Sequence, residues 1–414
     1  MDKSVSIDAM IAKMMEAALQ LEYSPTSIWG NMVPHWKSFS NYYRLKGLTL
    51  YDPAVTNEFV ELQRARLVRE EISYSHFRAI SAAANRLNQY YLSGNFALKM
   101  PKMGSPFRVS PQNEQLISDF IQARAYGPNT REDVSWVLRR YLGHFERLGY
   151  SSLAEVTVDQ VREFILKTAE DVKLSTLHDI MLYLKYFHYY LVEASIPAPD
   201  CAELFSYKIC REMPIQGYVT DEELRKVLDV INRNTDAGKR DLAIILVAAT
   251  TGLRACDIIS LKLTDIDWKK AEIKIVQKKT GQVVYCPLLK EVGEALQDYI
   301  LNGRPNTGCE EVFLRTIPPK TTIETAAAVG YMFKSYQEKA GIARYPFNGK
   351  GFHGLRRRLA RNLLVTGTPV TTIVQILGHD DPQASRQYLA LDSSNLSECA
   401  LGFQGICVER RELL

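Results

Sequence analysis

Long apolar runs are missing from this chain. No stretch reaches the ~18–20 apolar residues of a membrane span. The first 22 residues, MDKSVSIDAMIAKMMEAALQLE, lack the continuous apolar core of a signal peptide and read as an amphipathic helix. Cysteine is sparse and scattered: the seven residues, at 201, 210, 256, 286, 309, 399 and 407, form no C-x-x-C pair. That spacing argues against a zinc site or a disulfide framework and fits a reducing cytoplasm. Charge of one sign is barely in excess, with 51 Lys and Arg against 47 Asp and Glu for a net +4. Such a balance permits nucleic-acid binding without requiring it, because acidic outer faces can offset a basic groove. What is present is ordinary globular material, 46% hydrophobic and 24% charged over 414 residues, enough for two or three domains.

The N-terminal half carries a degenerate repeat offset by roughly 100 residues. Tyr23-Ser-Pro-Thr-Ser27 answers Tyr126-Gly-Pro-Asn-Thr130, and each opens an aromatic-bearing helical stretch. The two stretches end in similar turns, YYRLKG (42–47) and HFERLG (144–149). A second helix is expected at about 54–70 and again at 157–171, then a Ser-led third helix at 75–92 and 175–191. Phe77, Ile80, Ala84, Leu87 and Tyr91 recur at helical spacing. The pattern predicts two copies of one small α-helical unit, 1–97 and 112–196, joined by an exposed Lys-, Pro-, Gly- and Ser-rich linker at 98–111. A second linker, 197–218, leads onward.

From residue 219 the pattern changes. Thr220-Asp-Glu-Glu223 predicts a capping box, and RDLAIILVAATTG reads as a buried helix stopped by Gly252. AEIKIVQ and QVVYCPL are β-rich runs joined by Lys278-Lys-Thr-Gly281, a hairpin with lysine at its tip. Helices are expected at 288–301, 324–340, 353–366, 370–378 and 382–391. The fold expected is mainly α with a small antiparallel sheet: two helical units, an α+β catalytic domain over 219–392, and a tail at 393–414.

Six chemistry-bearing residues stand in order within this last stretch: Arg254, Lys279, His353, Arg356, His379 and Tyr388. These types suit attack on a DNA phosphodiester without a metal. Guanidinium forks grip non-bridging oxygens, lysine and histidine move protons, and tyrosine is the nucleophile. A tyrosine of ordinary pKa ~10 is about one part in a thousand ionised at neutral pH, so its proton has to be removed or its anion stabilised. Singly, each residue has a bland explanation. Arg254 could cap a helix end, Lys279 could be a solvated turn residue, the histidines could be structural, and Tyr388 is one of 22 tyrosines. No metal cluster and no cofactor motif is apparent, and none is expected.

Taken together, these strings make residues about 115–392 resemble the tyrosine recombinases, the integrase, Xer and Cre-type superfamily. The pattern T-G-L-R with an acidic residue three positions on falls on Arg254 and Asp257. K-T-G gives Lys279, with Lys278 as its neighbour; H-x-x-R gives His353 and Arg356; L-G-H gives His379; nine positions later stands Tyr388. The resemblance implies a SAM-like core-binding helical domain and a catalytic domain that clamp duplex DNA mainly through phosphates. It implies that His353 takes and returns the tyrosine proton and that Arg254 and Arg356 neutralise the transition state. Lys279 would protonate the leaving 5′ oxygen, His379 would hydrogen-bond a non-bridging oxygen, and Asp257 would orient its neighbours. The partners implied are double-stranded DNA recombination sites, a tetramer on two sites, and accessory DNA-bending or directionality factors, in the cytoplasm with the nucleoid.

Small members of the superfamily lack a counterpart of 1–97, which would be an extra DNA-binding domain or a multimerisation module. The tail would pack on a neighbouring protomer. The activity implied is cutting and rejoining of DNA through a 3′-phosphotyrosine, to mobilise or integrate a genetic element. A type IB topoisomerase and a catalytically silent DNA-binding regulator on the same scaffold are the alternatives. Of the basic run Arg356-Arg-Arg-Leu-Ala-Arg361, one residue is expected to be catalytic and the others a mixture of phosphate clamps and solvated face. Histidines 35, 76, 144, 178 and 188 are assigned to packing or solvent.

Overall fold

The computed structural model describes residues 5–96, 107–206, 217–343, 345 and 348–378. These divide between two compact units, Met1–Met100 with Ile215–Leu414, and Pro101–Pro214. Three large hydrophobic cores lie within them, drawn from residues 7–96, 117–205 and 219–355.

Residues 5–96 form α1 (Ile7–Gln20), a short α2 (Pro25–Ser27), a π turn (Ile28–Met32), α3 (Val33–Leu45), α4 (Pro53–Val68) and α5 (Tyr74–Ser93). Residues 107–206 form α6 (Pro111–Ala123), α7 (Pro128–Arg147), α8 (Val158–Asp171) and α9 (Leu174–Glu193). The order of helices is the same in both, as the repeat predicts. Pro25 and Pro128 each occupy the first turn of their helix, where the missing N–H costs nothing. Gly47 and Gly149 each follow the helix end at positive φ, 69° and 92°. The stretch from Pro25 to Gly47 is one residue longer than that from Pro128 to Gly149. The π turn absorbs the difference, with the Val33 N–H reaching the Ile28 carbonyl five residues back. Trp36, Phe39 and Tyr43 thereby stand at the same distances from Gly47 as Leu138, Tyr141 and Phe145 from Gly149, and all six are buried.

Two expectations shift. The third helix of the second copy starts at Leu174, ahead of Ser175, with Lys173 in the capping position and no side-chain cap. The stretch expected as a linker from 197 still belongs to the helical core, because Cys201 and Phe205 are buried in it. At the centre of that core the Tyr141 hydroxyl and His188 Nε2 are 2.9 Å apart. Burial pushes the tyrosine far above its ordinary value, so it remains the donor. Burial also pulls His188 down to about 4, against the opposing pull of a hydrogen bond to the Pro199 carbonyl. A buried imidazole that must stay neutral makes the fold acid-sensitive.

The remaining residues form α10 (Asp221–Asp229), α11 (Asp236–Thr251), α12 (Ala255–Ile259), a three-stranded antiparallel sheet, α13 (Lys290–Asn302), α14 (Ala326–Lys339), α15 (His353–Val365) and α16 (Val370–Leu377). The expected capping box is present: Thr220 Oγ1 accepts from the Glu223 N–H and Glu223 Oε2 accepts from the Thr220 N–H. The sheet runs β1 (Ile266–Asp267), β2 (Glu272–Val276), β3 (Val283–Pro287), with Val276 opposite Val283 at the hairpin end. Ile273, Ile275, Val284 and Cys286 face the core, where α11 lies against α13 and α15; Lys274, Val276, Val283 and Tyr285 face out. No helix among the described residues is long and apolar enough to cross a membrane.

His188 gives a pH prediction. Its folded pKa lies below its unfolded value near 6.5, so the stabilisation is complete above that value and is lost as pH falls toward about 4. The loss amounts to up to roughly 3 kcal/mol. Hydrogen-exchange protection of α7 and α9 amides in the whole chain should fall across that window. His188→Gln should flatten the dependence.

Candidate active site

The site is built where three helix ends and one hairpin meet. α11 stops at Gly252, which takes φ +66° and lets its N–H return to the Ala248 carbonyl. A Cβ there would lie 2.8 Å from Leu377 Cδ2 and 2.9 Å from Leu359 Cδ2. Glycine suits the left-handed turn, and any side chain there would displace the leucine methyls that α15 and α16 pack against it. The chain then turns through Leu253 into α12, with Arg254 at its N-cap in extended conformation.

Arg356 lies one turn into α15 and is 2% exposed. Its Nη1 donates to the Gly252 carbonyl at 2.7 Å and its Nη2 to the Leu377 carbonyl at 2.6 Å. Both carbonyls lie at helix C-termini, where the backbone acceptors have no partner within the helix and the dipole favours a cation. A buried guanidinium is tolerable only with such charge-assisted bonds, each worth about 1.5–3 kcal/mol.

Arg254 is tied to the same point by a residue that the motif pattern does not single out. Its Nη1 donates to Gln277 Oε1 at 2.6 Å, and Gln277 Nε2 donates to the Leu377 carbonyl at 3.1 Å. Gln277 is 1% exposed and continues the inward register of Ile273 and Ile275. An amide on the inward face of an alternating strand is the sequence signal that could have found it.

Gln277 also closes the hairpin loop. Its N–H donates to the Gln282 carbonyl, its carbonyl accepts from Gly281, and its Oε1 accepts from Thr280 Oγ1 at 3.1 Å. Lys278 and Lys279 follow on the loop with exposed side chains. Asp257, fully buried on α12, holds the root of the loop: its Oδ1 accepts from the Lys278 N–H at 2.9 Å. Next to it, burial and then the Asp257 carboxylate push the Cys256 thiol up, so the sulfur stays protonated and donates to Asp257 Oδ1. Burial likewise pushes Cys286, on β3, up to about 11.

The structure thus brings Arg254, Arg356, Asp257 and the base of the Lys279 loop together. His353 opens α15 one turn ahead of Arg356, with an exposed side chain. His379 and Tyr388 lie outside the described residues, as do the helix expected at 382–391 and the tail. The rest of the basic run turns inward. Arg357 donates to the Gly217 and Gly349 carbonyls, Arg358 pairs with Asp221, and the Arg361 guanidinium sits 5.0 Å from the centre of the Tyr218 ring. These three grip the segment that enters α10, which corrects their expected share as phosphate clamps.

Residues 218–395 match the phage integrase family, a stretch that takes in all six candidate residues. The integrase/recombinase y4gC of Sinorhizobium fredii is 33% identical over 44% of this chain and 94% of its own length. A second protein of that organism, the integrase/recombinase y4rA, is 26% identical over 91% of this chain and 89% of its own. Among solved structures, a lambda integrase tetramer bound to a Holliday junction shares the fold at a TM-score of 0.52 and 18% identity, over 75% of this chain and 86% of that one. The chain belongs to the phage integrase family, the tyrosine recombinases.

Gly252→Ala should cost about 2 kcal/mol or more, from the left-handed backbone and the contacts with Leu377 and Leu359 together. The melting transition of the unit carrying it should fall. An unchanged transition would mean that α15 and α16 can draw back without loss.

Proposed function

We propose that this chain is a site-specific recombinase that cuts and rejoins DNA through a 3′-phosphotyrosine at Tyr388, mobilising or integrating a genetic element. The observation that carries the reading is that Arg356 directly, and Arg254 through Gln277, are tied to the Leu377 carbonyl beside the root of the Lys279 loop. Arg254 donates to an amide oxygen and Arg356 to two backbone carbonyls, neutral acceptors that fix a guanidinium without cancelling its charge.

The chemistry runs in one displacement. Tyr388 Oη attacks the scissile phosphorus, His353 accepts its proton, and a phosphorus–oxygen bond forms as the bond to the 5′ oxygen breaks. Lys279 gives that oxygen a proton. Arg254 and Arg356 stabilise the pentavalent transition state, with His379 hydrogen-bonding a non-bridging oxygen. Asp257 fixes the loop from which the lysine reaches. Rejoining runs the same steps in reverse with a new 5′ hydroxyl, so the phosphotyrosine conserves the bond energy.

The partners are two duplex sites and three further copies of the chain, as in the lambda integrase tetramer, with accessory bending or directionality factors acting on the sites. The unit 107–206 contacts the duplex through its phosphates. Residues 5–96, with the same helix order, supply a second duplex contact, which fits a relative such as y4rA matching nearly the whole chain.

A nicked suicide duplex tests this directly. The wild type should form a covalent adduct in the presence of a chelator, and Tyr388→Phe should abolish it while leaving duplex affinity nearly intact. A phosphotyrosyl peptide mapped to another tyrosine overturns the assignment. Arg254→Ala and Arg356→Ala should each slow adduct formation by at least ~10²–10³. Lys279→Ala should be slow on an ordinary phosphate and recover on a 5′-bridging phosphorothiolate, whose sulfur leaves without a proton. A mutant still slow on the thio substrate would move the role to Lys278.

A further inference from the structure

Gln277 has no place in the displacement above, yet every polar group it owns is engaged at the site. We infer that Gln277 is a positioning residue that aims the Arg254 guanidinium at the scissile phosphate and locks it to the loop carrying Lys279. This inference rests on the recombinase reading.

Packing does not account for an amide here, since an apolar side chain of the same length would fill the volume, and a buried amide is costly unless bonded. Its orientation is fixed by chemistry. A guanidinium can only donate, so Oε1 faces Arg254; a carbonyl can only accept, so Nε2 faces Leu377. The one oxygen also takes the Thr280 hydroxyl of the lysine loop at 3.1 Å, so arginine and loop share an acceptor. Of the five N–H donors of Arg254, Gln277 occupies one, and that bond sets the direction of the fork. The amide also meets the start of the chain that leads to His379. Gly378 takes φ +62°, a left-handed conformation that favours glycine, and a Cβ there would lie 2.6–2.8 Å from the Gln277 amide atoms and displace them. Arginine, lysine loop and the segment leading to His379 are thus registered against one side chain.

Gln277→Met keeps the length and removes the hydrogen bonds. Gln277→Glu keeps an acceptor for Arg254 and Thr280 but loses the donor to Leu377, and its carboxylate competes with the phosphate for the guanidinium. With full-length protein on the suicide duplex, Gln277→Met should form the adduct about 10²-fold more slowly, the size of effect a misplaced catalytic group produces. Duplex affinity and melting should change little. The 5′-bridging phosphorothiolate should restore Lys279→Ala fully but Gln277→Met only in part, because the arginine remains misaimed. In an Arg254→Lys background, Gln277→Met should add much less than it does alone, since both act through one group.

A wild-type rate in Gln277→Met overturns the proposal. So does full recovery on the thio substrate, full additivity with Arg254→Lys, or affinity that falls in step with rate. Should Gln277→Met not fold, Gln277→Glu carries the test, with slow adduct formation at unchanged affinity expected and a wild-type rate fatal. A wild type that forms no adduct overturns the recombinase reading itself, which is a separate result from a fast Gln277 variant in an active background.

Discussion

One carbonyl oxygen organises the site. Leu377 ends α16, so its acceptor has no helical donor to meet, and it takes Arg356 Nη2 and Gln277 Nε2 instead. Through those two bonds α15, α16 and the end of β2 are joined, and Gln277 extends the joint to Arg254. The Gly252 carbonyl at the end of α11 holds the other arm of Arg356. Two helix C-termini thus do for a buried cation what carboxylates do elsewhere, through partial rather than full negative charge on the bonded acceptors. A site meant to receive a phosphate benefits from that difference, because a carboxylate partner would have cancelled the charge the phosphate needs.

The two unbranched cations on the loop obey a different constraint. Lys278 and Lys279 have exposed side chains, while the backbone of the loop is held by the Gln277–Gln282 pair, by the Thr280 hydroxyl on Gln277 Oε1 and by Asp257 beneath the Lys278 N–H. The site therefore has a rigid floor of arginines and a lysine held on a short exposed loop. Position and charge are supplied by the buried part, proton delivery by the part that can follow the substrate.

Much of this is legible in the amino-acid sequence. Arg254, Arg356 and the lysine loop announce themselves by spacing, and the T-G-L-R string places a glycine where a helix must stop. The strand alternation gave the sheet its inner face, and Thr220 with Glu223 forms the capping box its spacing predicts. What spacing could not carry was the bonding between motifs. Gln277 reads as an ordinary polar residue next to a turn, and its importance comes from Leu377, which is 100 positions away. Arg357, Arg358 and Arg361 look like a cationic stripe along the chain, but the segment from Gly217 to Asp221 lies across them and takes up their hydrogen bonds and charge. Cys201 and Phe205 lie in a stretch that reads as linker from 197, although two apolar side chains at near-helical spacing are enough to return the chain to the core.

The π turn at Ile28–Met32 bears on how the two helical units came to differ in length. In a regular helix each residue advances the side chains by about 100°, so one inserted residue rotates everything after it off its face. Trp36, Phe39 and Tyr43 would then point away from α1 and α5, and the unit would lose its largest buried rings. Widening a single turn confines the insertion to a local bulge and returns the following residues to phase. Gene duplication followed by a single-codon insertion is therefore survivable at this place in the helix, and the aromatic frame downstream keeps the alignment of its counterpart.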